Sequence, residues 1–279
     1  MSEYQYYEFL AVDRPLTKKE MGELRSYSTR ARITTTGFVN EYQWGSFKGN
    51  EDAWMEQYFD AFLYVANWGT NKLMLRLPSA ALPVKVAKAY CRSDAASVRA
   101  RGENTILTFL SEDESGDEEI TGEGLLATLV SLRADLMNGD HRPLYLAWLL
   151  GVQDGAVDDD QIEPPVPAGL AELTGPMGAF VEFLRIDGGL VAAAAQHSAP
   201  PGKKKFAKSA VAKWIRGLPA KDKDQLLTRI VTEDAQAVAL EMRRDIQVAN
   251  SPRASAAAAE RRSVGALRRA ARDLGSSLP

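Results

Sequence analysis

One cysteine, Cys91, and two histidines, His141 and His197, are all the thiol and imidazole side chains that 279 residues supply. That scarcity excludes an internal disulfide framework and a multi-thiolate zinc site, and it leaves no histidine set for a metal cluster. No Walker A loop, GxGxxG, GxSxG, HExxH or EF-hand loop occurs in the chain. The motif-borne routes to nucleotide binding, serine hydrolysis, zinc proteolysis and calcium binding are therefore closed, and the sequence predicts neither a metal nor a cofactor. Long apolar runs are missing as well. The longest near-apolar stretches, residues 145–150 and 188–195, fall far short of the roughly 18 residues that a membrane-spanning helix needs. The first residues, MSEYQYYEFLAVDRP, are acidic and lack the basic flank and apolar core of a secretion signal. A free thiol without such a signal points to a cytoplasmic protein that does not enter a membrane.

What is present is an ordinary globular balance. Apolar residues at 45% and charged residues at 25% exclude a disordered or fibrous chain, and the length is enough to bury a core without staples. The charge is divided. Residues 201–279 carry 17 Lys and Arg against 8 Asp and Glu, which leaves 17 against 29 for residues 1–200. Acids cluster at Glu112, Asp113, Glu114, Asp117, Glu118, Glu119 and Glu123, and again at Asp154, Asp158, Asp159, Asp160 and Glu163. Such a division means a polyanionic partner for the C-terminal part, contact between the two halves, or simply two solvated surfaces of unlike sign.

Patterning predicts strands and helices in the first part. Tyr4 to Val12 reads as a strand ended by Pro15. Thr17 and Glu20 have capping-box spacing, with Leu16 and Met21 at staple positions, and a helix follows to about Ser28. Arg32–Thr36 and Phe38–Trp44 look extended around a bend at Gly37. Asn50 caps a further helix. Trp54, Met55, Tyr58, Phe59, Phe62 and Leu63 recur at helical spacing and extend that helix towards a stop at Gly69. Leu73, Leu75 and Leu77 alternate with polar neighbours as a strand, and Thr105–Leu110 is another. The order fits an α+β chain whose N-terminal layer is ferredoxin-like or related, built from two β-α-β crossovers.

Later segments read as helices: Leu125–Met137, Leu144–Leu150, Met177–Ala195 interrupted at Gly188-Gly189, Phe206–Arg216, Lys221 to about Val248, and Ser255–Leu274. Residues 151–168, with their prolines and aspartates, form a loop or linker. The expected organisation is an α+β domain over 1–122, a helical region over 123–200 and a basic helical region over 201–279 with an Arg-rich tail.

Two basic segments carry the functional expectation. Lys203, Lys204, Lys205, Lys208, Lys213 and Arg216 have no acid among them and are interleaved with Phe206 and Trp214, a pattern suited to phosphates. The two rings lie eight residues apart on one helical face, which favours burying them and turning the lysines outward. Arg261, Arg262, Arg268, Arg269 and Arg272 surround a narrow stripe of Val264, Leu267, Ala271 and Leu274, as in a helix that docks into a partner. Trp44 and Trp68 each precede a glycine at an element end and offer an aromatic surface, with core packing as the competing role. Cys91, His141 and His197 have nothing to bring them together as a nucleophile pair, and the acidic runs lack the spacing of a cation loop.

The function expected is that of an intracellular, non-enzymatic interaction or adaptor protein whose basic helices dock a protein partner. The alternative is a protein that binds DNA or RNA phosphates through residues 203–216. A third reading, an enzyme with a carboxylate site, requires a pocket in which several acids converge with raised pKa values.

The runs EYQYYEFLAVDRPLT at 3–17, FVNEYQWGSFKG at 38–49 and YFDAFLYVANWGTNKLMLRLP at 58–78 resemble an uncharacterised family of bacterial proteins. The resemblance covers the first 80 residues or so and implies a bacterial, intracellular origin with a working unit in the N-terminal part. It implies no activity, cofactor or catalytic residue.

Overall fold

Tyrosine, phenylalanine and branched residues fill the first part of the chain, and they form seven strands among the described residues. These are β1 (Gln5–Leu10), β2 (Arg32–Thr34), β3 (Gly37–Tyr42), β4 (Ala61–Ala66), β5 (Thr70–Pro78), β6 (Ala96–Arg101) and β7 (Asn104–Glu112). The structure, a computed structural model, describes residues 3–113, 121–201, 208–232 and 262–275 with single positions between 235 and 246. The strands make one sheet in the order β2-β3-β1-β4-β5-β7-β6. Every pairing in it is antiparallel. The fold is α+β, but the expected β-α-β crossovers do not join its strands. A crossover leaves its two strands parallel, whereas β1 runs antiparallel to both of its neighbours, β3 and β4. A ferredoxin-like layer, which rests on such crossovers, is not what these pairings build.

Tight turns make the hairpins. Gly69 closes β4–β5 with φ at +90°, and a Cβ there would lie 1.5 Å from the Asp113 carbonyl oxygen. Only glycine meets both demands.

Helices cover both faces of the sheet. On one face lie α1 (Lys18–Tyr27) and α2 (Glu51–Gln57). The capping box of α1 is formed, with Thr17 and Glu20 bonding each other's backbone N–H. Leu24, Trp54 and Met55 pack there on Phe9, Phe38 and Phe62. The rings of Phe9 and Phe62 stack at 4.3 Å, and Trp54 meets Phe38 edge-on at 4.9 Å. The other face receives α3 (Val84–Ala87), α4 (Leu125–Leu129), α5 (Ser131–Met137), α6 (Arg142–Gln153) and α7 (Gly175–Phe183), while α8 (Gly188–Ala195) packs on α6 and α11 (Val264–Gly275) packs on α8. Helix α6 is apolar all round and buried almost throughout, as such a helix must be. A single hydrophobic cluster runs from Tyr6 through Leu75, Trp148 and Phe180 to Leu267 and Ala271. Two further helices, α9 (Lys208–Gly217) and α10 (Ala220–Thr232), follow α8.

The helix expected to run on from Trp54 stops at Gln57, and residues 61–66 form the central strand β4 instead. Every residue of β4 is buried, because helices lie above and below it. A strand buried on both faces is apolar at successive positions, so it satisfies helical spacing as well as alternation.

One buried ion pair fastens the sheet. Asp60, fully buried, accepts the Val12 and Asp13 N–H groups at 2.7 and 2.9 Å. Its other oxygen takes Arg76 Nη2 at 2.7 Å and Nε at 3.1 Å. Burial alone raises the Asp60 pKa, but the two amides and the guanidinium outweigh it and hold the carboxyl below its ordinary value. Arg133 of α5 pairs with Asp13 and donates to the Arg76 carbonyl, which ties a helix of the second layer to the same point.

Candidate functional site

The two basic segments meet different fates. In α9 the cations stay outside. Lys208, Lys213 and Arg216 are exposed, and none has an ion pair among the described residues. Val211, Trp214 and Leu218 are half-buried along one side, and Ile215 remains exposed. The Leu218-Pro219 turn leads into α10, where Lys223 Nζ closes back onto the Arg216 carbonyl at 3.3 Å. Leu226 and Ile230 are half-buried on α10, whereas Leu227 is 64% exposed and Val231 84%. The two helices thus offer water Ile215, Leu227 and Val231 together with three cations that have no ion pair among the described residues. Lys203, Lys204, Lys205 and Phe206 lie outside the described residues.

The second basic segment is folded into the body. Arg262 forks onto Glu163, its Nε and Nη2 each 2.9 Å from a carboxylate oxygen. Its Nη1 reaches the Ala193 carbonyl at 3.1 Å and His197 Nδ1 at 3.2 Å. Tyr145, fully buried on α6, donates its hydroxyl to the same Glu163 carboxylate. Burial and that neighbouring negative charge both push the Tyr145 pKa upward. Burial works against the charged Arg262, yet Glu163 prevails and raises its pKa above the ordinary value. Backbone bonds seal the contact: Glu163 N–H to the Arg262 carbonyl at 3.0 Å and Val264 N–H to the Gln161 carbonyl at 2.9 Å.

From there α11 lies along α8, with Val264, Leu267 and Ala271 buried against Leu190, Ala193 and Ala194. Arg268 pairs with Asp159 and donates to the Val152 and Val157 carbonyls at 2.7 and 3.1 Å. Arg269 and Arg272 face solvent, and Arg261 lies outside the described residues. The acidic cluster around residues 154–163 therefore receives part of the basic tail.

The remaining candidates are spread over the molecule. Trp44 is 71% exposed with the Arg30 guanidinium 5.5 Å above its ring, and Trp68 is 45% exposed. Their neighbours Trp54 and Tyr58 belong to the core. Burial pushes the Cys91 thiol up to about 12, which keeps it protonated and unreactive. His141 sits at the start of α6 near the Tyr90 ring, and His197 lies against the Arg262 guanidinium. Among the described residues no three metal-ligating side chains converge, and no helix is long and apolar enough to cross a membrane.

Sequence reasoning missed one polar cleft. About 320 Å³ opens beside β1, lined by Tyr6, Arg30, Arg32, Asn40, Glu41 and Glu123. Next to it Tyr6 donates its hydroxyl to Glu8 at 3.0 Å. Burial raises the Glu8 pKa, while Tyr6 and Arg32 pull it down. The signal was in the alternation of β1, which sets Glu8 between Tyr6 and Leu10 on a face otherwise apolar.

No protein-family model matches the chain, and no curated protein and no solved structure matches it either.

Proposed function

We propose that this chain is a non-enzymatic adaptor of the bacterial cytoplasm that docks an acidic, partly apolar protein surface on its helices α9 and α10. One observation carries the reading: Lys208, Lys213 and Arg216 are exposed without ion pairs among the described residues, and Ile215, Leu227 and Val231 stand exposed on the same two helices. Unpaired cations steer an acidic partner in, and apolar side chains then slow its departure. The acidic sheet domain serves as the platform that carries these helices.

Phosphates of DNA or RNA suit the same three cations. Protein is favoured because Leu227 and Val231 have no role on a phosphate backbone, and because Trp214 is half-buried and no open stacking platform. An enzymatic role has the Glu8–Tyr6 contact in its support. Acid–base chemistry works with two groups held in opposed environments, so that support is the weaker one.

A photo-crosslinker at position 227, with a second chain bearing it at Lys18 on α1 as control, tests the proposal in living bacteria. The expected result is one acidic protein trapped from 227 and not from 18. Its purified form binds the full chain more weakly as salt rises and loses about tenfold in affinity with Val231→Asp. Binding of mixed-sequence DNA or RNA that weakens with Lys213→Glu and ignores Val231→Asp would replace the protein reading by the nucleic-acid one. Absence of both kinds of partner removes the adaptor.

A further inference from the structure

A groove of about 910 Å³ opens where the end of α6, the turn between α7 and α8, and α11 meet. Three guanidinium groups line it, from Arg185, Arg268 and Arg272. Its apolar lining comes from Val152, Leu190, Ala192, Ala271 and Leu274. Arg268 is already satisfied by Asp159 and two carbonyls. Arg185 and Arg272 are not: among the described residues each has only a carbonyl partner, Gly69 at 2.9 Å for Arg185 and Arg268 at 3.4 Å for Arg272. The carboxylate in the lining, Asp187, is occupied in capping α8, with Oδ1 2.7 Å from the Leu190 N–H. Two guanidinium groups without an acid partner among the described residues, set against this one carboxylate, leave the groove positive as well as apolar.

Arg185 occupies an unusual seat. Helix α7 ends in a Schellman motif, with the Arg185 N–H on the Glu182 carbonyl and the Ile186 N–H on the Val181 carbonyl, both at 3.0 Å. The position after the cap is left-handed, and glycine normally takes it. Here it is arginine at φ +55°, the single non-glycine with positive φ among the described residues. Gln153 clamps this turn from α6, donating to the Arg185 carbonyl at 3.0 Å and accepting from the Asp187 N–H at 2.7 Å. A guanidinium is thus held on a strained, locked turn at the mouth of a groove.

The geometry points to a binding site for a small amphipathic anion. Its carboxylate or phosphate lies on Arg185 and Arg272, and its apolar body lies along Leu190, Ala271 and Leu274. A planar guanidinium forks onto two oxygens of either head group, and a largely apolar lining with a few placed charges is the usual make-up of a small-molecule site. No residue of α9 or α10 takes part, so the site stands apart from the adaptor reading.

Calorimetric titration of the full chain with octanoate, octyl phosphate, octanol and inorganic phosphate tests it. At least one octyl anion binds, and octanol and inorganic phosphate bind about tenfold more weakly or worse. The tighter of octanoate and octyl phosphate identifies the head group. Arg272→Gln, at an exposed position, lowers the affinity about tenfold without moving the thermal midpoint. Arg185→Gly, which suits the left-handed backbone, lowers the affinity likewise, and Ala192→Phe narrows the groove and weakens binding. Octanol or inorganic phosphate binding as tightly as the octyl anions, no binding of either anion, or variants that bind like the parent would each overturn the site.

Discussion

Helices α9 and α11 are both short, basic and amphipathic, yet one is exposed and the other completes the core. Their charges differ in kind. The cations of α9 are two lysines and one arginine, compact and strongly hydrated for the most part. The tail around α11 uses arginines, whose planar forks match a carboxylate or several carbonyls at once. Their surroundings differ too: Arg262 and Arg268 find acids 99 and 109 residues earlier in the chain, and α9 finds none among the described residues. Positive charge alone decides nothing about where a helix goes. A geometrically matched acid, placed by the rest of the fold, decides it.

Breaking that match should have the largest effect. Glu163→Gln leaves the Arg262 guanidinium buried without its counter-charge and is expected to lower stability by about 3–5 kcal/mol, read from urea unfolding. Adding Arg262→Met should restore much of the loss, since the unpaired charge is then gone. Arg268→Ala comes next, at about 1–2 kcal/mol, because it frees two carbonyls while its partner Asp159 is largely exposed. Arg268→Lys should recover only part of this if the fork matters.

The same unfolding measurement on α9 sharpens the contrast from the other side. Lys213→Glu with Arg216→Glu is expected to stay within about 0.5 kcal/mol of the parent. A loss as large as that of Glu163→Gln would mean that α9 is structural and that the contrast is false.

The smallest effect belongs to the solvent-washed pair Arg14–Glu20, a yardstick for ion pairing at the surface. Arg14, with the Thr17 backbone, holds the Glu20 carboxyl down to about 2. A depressed pKa stabilises the fold above the ordinary value of 4.5, and that stabilisation is lost as pH falls from there towards 2. Glu20→Gln should therefore melt slightly below the parent at pH 7 and together with it at pH 2.

Local signals were legible in the sequence and distant ones were not. Thr17 and Glu20 announce the start of α1 because both partners of the capping box lie within one turn. Leu73, Leu75 and Leu77 announce β5 because their neighbours Lys72 and Arg76 are polar. The residues of β4 satisfy helical spacing too, because burial on both faces is a property of the finished sheet. The charge division suggested contact between the halves, but the pairing of Glu163 with Arg262 depends on α6, the loop after it and α11 arriving together. No spacing rule reaches across 99 residues. Nor does the sequence mark Arg185, whose importance comes from a backbone angle and from the groove beside it.

The docking of α11 sets an order on events at the ribosome. Until residue 271 has emerged, the hydrophobic cluster that begins at Tyr6 lacks its final wall, α8 shows an alanine flank to water, and Glu163 waits for its guanidinium. The nascent chain must carry that unfinished surface through the synthesis of everything between α8 and α11.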